Sequence, residues 1–129
     1  MIVTDERVAL FVSERVGAAF VPPFTCMGLE RNGEIVAGVI FNVFEGCDVH
    51  VSIAGRGWTP HFCREVGKYV FDTLKCERMT AVTEKPEIVR IAEWLGGEVE
   101  GLLRNHFGKG RDGFIVGILK EDYRFGQHA

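Results

Sequence analysis

Between Thr4 and about Ala19, apolar side chains recur every three to four residues, at Val8, Phe11, Val12, Val16 and Ala19. That spacing puts them on one stripe of an α-helix. Thr4 can cap its start, and Asp5 and Glu6 fall in the first turn, where negative charge meets the positive end of the helix dipole. Gly17 weakens the pattern and Pro22-Pro23 stops it. The period then changes to that of strands. Thr25–Glu30 and Ile35–Phe44 flank Arg31-Asn32-Gly33-Glu34, and Asn-Gly between apolar runs is a strong hairpin signal. Ile35–Phe44 is nearly all apolar, as expected of a central strand covered on both faces. Glu45-Gly46-Cys47 returns the chain into a third strand, in which Val49, Val51 and Ile53 alternate with Asp48, His50 and Ser52.

A second helix is predicted over Thr59–Lys75. Thr59 is a good N-cap, and Pro60 suits the first helical position. Phe62, Val66, Val70 and Leu74 then repeat every four residues, with Cys63, Tyr69 and Phe71 widening the apolar face. Arg78–Thr83 reads as a short strand. A crossover through a helix makes it the parallel neighbour of the strand at Val49–Ile53. Pro86 opens a further helix that buries Ile88, Val89, Ile91, Ala92 and Leu95, and Gly96-Gly97 ends it. Val99–Phe107 is a strand, residues 108–113 a flexible turn, and Phe114–Leu119 the last strand. The order α-β-β-β-α-β-α-β-β predicts an α/β protein with a mixed, mostly antiparallel sheet and helices on both faces, forming one domain over residues 1–129. Residues 126–129 are expected to fray.

Composition narrows the partners. The 129 residues are 47% hydrophobic and 26% charged, enough for a sizeable core. A net charge of −3 gives no general attraction to nucleic acid or to anionic lipid. No apolar run reaches the length of a membrane span, so a cytoplasmic location is expected. Cys26, Cys47, Cys63 and Cys76 form no C-x-x-C pair and have no histidines at finger-like spacing, so no metal is expected and buried reduced thiols are the simplest reading.

The chemistry concentrates at Asp48–Leu74. Gly55 and Gly57 bracket Arg56 in a sharp turn that runs straight into a helix start. Unpaired backbone N–H groups and the helix dipole make such a place suitable for an anion, often a phosphate.

That element order, with its phosphate-type turn, resembles the GCN5-related N-acetyltransferase (GNAT) superfamily. Ile91–Arg104 is similar to the family's segment in which a helix ends in Leu-Gly and the next strand carries Glu-Gly and an arginine, here Leu95-Gly96 and Glu100-Gly101 with Arg104. Asp112–Leu119 resembles its last strand, and Ile35–Ile40 the strand that carries a small residue and a glycine. The likeness is closest to small single-domain members of phage and prophage type. It implies transfer of an acetyl group from acetyl-CoA, as cosubstrate, to an amine of a small molecule or protein, by direct attack on the thioester. By match, Val51, Ser52 and Ile53 line the pantetheine arm, and Gly55, Arg56, Gly57, Trp58 and Thr59 form the phosphate turn. His50 and Ser52 fall close to the expected thioester, with His50 able to take the amine proton directly and Ser52 through water. Asp48 and Glu84 are weaker carboxylate candidates. Asn42 and Phe44 would line the acceptor side, as would Asn105 and His106, with Lys109 and Arg111 nearby.

Two features depart from the family pattern. Ala54–Trp58 keeps two glycines and a cation but not the usual loop spacing, and Thr83–Ile88 carries neither the asparagine nor the tyrosine common there. The alternative is a catalytically weak or inactive module of this fold that binds CoA or a protein partner. A tRNA-acetylating activity would favour a basic face, which the net charge opposes. A homodimer through strand edges or the C-terminal tail is compatible with the sequence.

Overall fold

The computed structural model describes residues 1–126. The end expected to fray lies outside the described residues from position 127 onward. Seven strands form one sheet in the order β1-β2-β3-β4-β5-β7-β6. They are β1 (Ile2–Val3), β2 (Phe24–Arg31), β3 (Glu34–Glu45), β4 (Asp48–Gly55), β5 (Arg78–Thr83), β6 (Glu98–Leu103) and β7 (Gly113–Leu119). The helices are α1 (Glu6–Val16), α2 (Pro60–Gly67, continued by a π-helical turn at Lys68–Thr73) and α3 (Pro86–Trp94). A short 3-10 turn, Lys120–Asp122, follows β7. Only β4 and β5 pair in parallel; the other neighbours are antiparallel.

The expected element order holds, with local differences. Asp5 caps α1 in place of Thr4, because its carboxylate accepts the Arg7 N–H at 3.0 Å and also grips the Arg7 guanidinium. α1 stops at Val16, where Gly17 adopts φ +71° and closes the helix with a left-handed cap. The strand expected to run to Phe107 ends at Leu103, because Asn105, at φ +59°, turns the chain back. The two-residue β1 escaped the pattern reading; it is too short to show a period. Asn32 and Gly33 both have positive φ, as a tight hairpin turn requires.

The sheet is covered on both faces. α1 lies on one face, burying Val8 and Val12 against Ile40 and Ala54. It sits close because Gly28 and Gly38 face each other across β2 and β3, and a Cβ at Gly28 would stand 2.5 Å from Val8. α2 and α3 cover the other face. There Phe62, Val66, Val70, Ile88, Ala92 and Leu95 meet Val39, Phe41, Val49, Val51, Ile53 and Val116. Burying each such side chain contributes on the order of 1.5–3 kcal/mol before entropy is counted. Of the cysteines, Cys63 and Cys76 are buried, Cys26 is half-buried and Cys47 is exposed at the β3–β4 turn, so the expectation of buried thiols fails at Cys47. None of the four is in a disulfide.

Candidate active site

β4 and β5 part company. Their ladder runs from Asp48↔Arg78 to Val51↔Ala81 and then stops. Beyond it, β4 stays registered with β3 as far as Ala37↔Gly55, while β5 stays with β7 as far as Thr83↔Phe114. The strand edges therefore diverge, and alternate backbone groups of residues 52–55 point into the gap without a strand partner. The opening is a cleft of about 900 Å³. One wall is β4 and its turn (Ile53 to Arg56), and another is α1 (Phe11, Arg15, Val16). The start of the β5–α3 connection and one face of α3 (Glu87, Ile91, Trp94) complete it.

The cleft ends at the glycine turn. Gly55 has φ +91°, and a Cβ there would stand 2.2 Å from the Val36 carbonyl. Arg56 donates its N–H to that same carbonyl at 3.0 Å, which pins the turn to β3. Gly57 has φ +82°, and Arg31 donates to its carbonyl at 3.1 Å. Thr59 caps α2 by accepting the Phe62 N–H at 3.1 Å, and Pro60 occupies the first turn. Among the described residues, the N–H groups of Gly57, Trp58 and Thr59 have no acceptor. Three amides without an acceptor, the start of α2, Arg31 at the Gly57 carbonyl and Arg56 in the turn thus lie together, donor groups and positive charge of the kind that favours an anion. Trp58 turns inward. Its Nε1–H donates to the Gly55 carbonyl at 3.3 Å and its ring packs against Phe62, with centroids 5.1 Å apart.

The other named residues distribute as follows. Val51 points into the core under α2, and Ile53 is shared between core and cleft. His50 and Ser52 lie on the opposite side of β4, the side facing α1. His50 stands across from Asn42 on β3 and Thr80 on β5, with its Nε2 3.8 Å from Glu45. Between Asn42 and Glu45 the β3 register slips in a bulge, where Val43 takes φ +50° and Phe44 is exposed. Asn105 shapes the β6–β7 connection: its N–H donates to Asp112 and its side-chain oxygen accepts from Gly110, each at 2.8 Å. His106 packs edge-on against Phe107, which lines the cleft.

Two networks frame these groups. Asp48 accepts from the Thr80 hydroxyl at 2.9 and 3.0 Å. Arg78 donates to the same hydroxyl at 3.2 Å and reaches Glu100 at 2.7 Å. At the cleft mouth, Arg111 grips the Glu84 carboxylate bidentately, and that hydrogen bonding holds Glu84 below the usual carboxylate range. Lys85 donates to the Arg15 carbonyl, tying the end of α1 to the α3 start. Neither tyrosine reaches the cleft: Tyr69 bonds Thr25 at 2.7 Å, and Tyr123 is buried and donates to the Cys63 carbonyl at 2.6 Å. Among the described residues no cluster of three His, Cys, Asp or Glu side chains could hold a metal, and no helix is long and apolar enough to cross a membrane.

Sequence reasoning missed Arg31, Arg15, Lys85 and Trp94. Trp94 carries a signal, since Glu87, Ile91 and Trp94 fall on one helical face; Arg31 carries none, because only the fold brings it to Gly57.

No family model and no curated protein matches the sequence. Solved structures do match in shape. A single-residue variant of the spermidine N-acetyltransferase SpeG from Vibrio cholerae aligns with a TM-score of 0.72 at 15% identity, over 96% of this chain and 95% of that one. The Vibrio cholerae spermidine N-acetyltransferase in complex with CoA and spermine aligns at 0.63 and 17% identity, over 79% of this chain and 69% of that one. A probable acetyltransferase aligns at 0.65 and 17% identity, over 78% and 63%. At these identities the likeness is one of fold, and the chain has the fold of the GCN5-related N-acetyltransferases.

Proposed function

We propose that the protein is an acetyl-CoA-dependent N-acetyltransferase with its cosubstrate in the cleft between β4 and β5. The observation that carries this reading is the parting of the two strands beyond Val51, above a glycine turn with three unsatisfied N–H groups. A CoA arm is an extended amide chain that ends in a pyrophosphate. The open edge of β4 over Ser52 and Ile53, beside the apolar Val51, offers amide-to-amide pairing for the arm. Gly55, Gly57, Trp58 and Thr59 contribute backbone, and Arg56 charge, at the phosphate end. One fold neighbour was solved with CoA and spermine, which is consistent with this ligand chemistry.

The reaction is then acyl transfer by direct attack. The neutral amine nitrogen adds to the thioester carbonyl carbon, and negative charge builds on the carbonyl oxygen. A backbone N–H of β4 at the parting point stabilises that oxyanion. The C–S bond breaks and the thiolate leaves; with a thiol pKa of about 8.5 it needs no protein acid. The amine enters from the α1 side of the sheet, where Asn42, His50 and Ser52 cluster, with Phe44 beyond the bulge and Asn105 and His106 at the far rim. His50 takes the amine proton directly or Ser52 relays it through water.

Calorimetry with acetyl-CoA tests this. Wild type binds in the micromolar range. Arg56→Ala weakens binding by about tenfold, the loss of one charge-assisted hydrogen bond. Gly57→Trp weakens it further, because Gly57 holds φ +82°, which a residue with a Cβ rarely adopts, so the turn must rearrange. Wild type that binds neither acetyl-CoA nor CoA refutes the reading, and the chain would then be studied as an interaction module.

A further inference from the structure

Two of the four cysteines meet at the end of the β4–β5 ladder opposite the cleft. Cys47 is exposed in the β3–β4 turn, and Cys76 is buried just before β5. Their segments are pinned together. The Cys47 carbonyl accepts the Glu77 N–H at 2.8 Å and the Arg78 N–H at 3.1 Å, and the ladder then begins at Asp48↔Arg78. On its other side Cys76 is held by the π-helical turn that continues α2, where its N–H donates to the Val70 carbonyl at 3.0 Å.

The Cys76 thiol is aimed at the turn. Its Sγ donates to the Gly46 carbonyl at 3.7 Å. That oxygen sits across one planar peptide, about 2.8 Å, from the Cys47 Cα, which places the Cys76 Sγ within about 6.5 Å of the same Cα. Burial pushes the Cys76 thiol up, and Asp48 and Cys47 add to it, so the two thiols sense each other's charge. A disulfide needs its two Cβ atoms about 3.5–4.5 Å apart. The turn has room to close that distance. A Cβ at Gly46 would meet nothing within 4 Å, and the Cys47 side chain stands in solvent. The remaining cysteines are engaged elsewhere: Cys26 Sγ lies 3.5 Å from the Thr4 and Asp5 carbonyls, and Cys63 borders a core gap with Trp58 and Val66.

We infer that Cys47 and Cys76 form a peroxide-responsive thiol pair, with Cys47 the reacting cysteine and Cys76 the resolving one. The Cys47 thiolate attacks one oxygen of hydrogen peroxide; the O–O bond breaks, hydroxide leaves, and the sulfur becomes a sulfenic acid. The Cys76 sulfur then attacks the Cys47 sulfur; the S–S bond forms, the S–O bond breaks, and the departing hydroxide takes the Cys76 proton as water. In sum, two thiols and one peroxide give one disulfide and two waters, two electrons passing from sulfur to oxygen. The link staples the β3–β4 turn to the start of β5, on the one ladder that the cleft leaves short. The pair works in this way whatever the cleft binds.

The test treats folded wild type with hydrogen peroxide, traps remaining thiols with N-ethylmaleimide and maps peptides without reduction. Expected is a monomeric product in which the Cys47 and Cys76 peptides are joined, while Cys26 and Cys63 still carry free thiols. Dithiothreitol should restore both thiols. Linked protein should melt roughly 5–15 °C above the reduced form, the rise expected for a closed loop of this length. Cys47→Ser, a change at an exposed position, should leave Cys76 reduced under the same treatment. Cys76→Ala should leave Cys47 as a sulfenic acid that dimedone captures. The inference is overturned if Cys47 of wild type proceeds to sulfinic acid or to a disulfide between two molecules while Cys76 stays reduced. It is also overturned if the link forms only in urea, or if the linked protein melts no higher than the reduced one.

Discussion

Gly67 sits at the end of α2 with φ −62° and ψ −43°, ordinary helical angles that any residue adopts. Nothing in the backbone requires a glycine, and alanine there should gain about 1 kcal/mol in helix propensity. The reason for glycine is steric. A Cβ at this position would stand 2.5 Å from Cε2 and 3.0 Å from Cδ2 of Tyr123. That ring is fully buried, edge-on to Phe71 at 5.5 Å, and its hydroxyl bonds the Cys63 carbonyl at 2.6 Å. Overpacking of this kind costs about 1–3 kcal/mol, and displacing a buried hydroxyl from its acceptor about 1–3 more. Against the 1 kcal/mol gained, Gly67→Ala should destabilise by about 2 kcal/mol or more, lowering Tm by roughly 8 °C for a chain of this size. Urea denaturation followed by circular dichroism measures it. In a Tyr123→Leu background, where Cε2 is gone, the same substitution should be neutral or stabilising, giving a coupling energy of about 2 kcal/mol. If Gly67→Ala is as stable as wild type, Tyr123 does not pack against this helix as described. The outcome also bears on the site, since the same packing sets the pose of α2 and hence of the amides at its start.

Other perturbations test separate parts of the structure. Thr59→Ala removes the cap of α2 and should cost about 1 kcal/mol in stability by chemical denaturation, together with a measurable loss of acetyl-CoA affinity. Val43, a β-branched and half-exposed residue at φ +50°, is strained, so Val43→Asn should raise stability by roughly 1 kcal/mol; a decrease would mean the bulge does not hold that conformation. The Arg7 hydrogen bond holds the Asp5 carboxyl below its ordinary value. A lowered folded pKa means its stabilisation is present above the unfolded pKa and fades as pH falls through the folded one. Asp5→Asn, which still caps, should therefore flatten the acid limb of stability measured by urea midpoints at successive pH values. Alkylation of native protein at neutral pH should label exposed Cys47 first. Cys63, buried and with its thiol pushed up to about 11, should react only on unfolding, as peptide mass mapping would report.

Most of the fold was legible because it rests on local signals. The Asn32-Gly33 turn, the alternation through β4 and the Thr59-Pro60 helix start each involve a few adjacent residues, and each appears where its chemistry predicts. What escaped depends on residues distant in the chain. Asp5 displaced Thr4 as the cap because it also engages Arg7, and Thr4 cannot do both. The early end of β6 follows from the hydrogen bonds of Asn105 to Gly110 and Asp112, a closed hairpin that no apolar period announces. The glycine turn was readable as a sharp turn running into a helix start, but its link to Arg31, 26 positions away, was not. The cleft itself has no sequence signature. It exists because one ladder stops while its two neighbours continue, a property of three strand pairings at once.

The four-pair ladder between β4 and β5 also bears on how the chain assembles during synthesis. Once Gly55 has left the ribosome, β2, β3 and β4 each have a pairing partner next to them in sequence, so these strands can form promptly. Their outer edge is then β4 itself, whose alternating valines and isoleucine form an unprotected template for another nascent chain. The edge is capped only when Arg78–Ala81 arrive, and even then over just half its length. Ser52–Gly55 have no strand partner on that side in the finished molecule. The same incompleteness that leaves room for a ligand thus makes that ligand, when bound as proposed, the last strand-like guard on an edge the protein never covers alone.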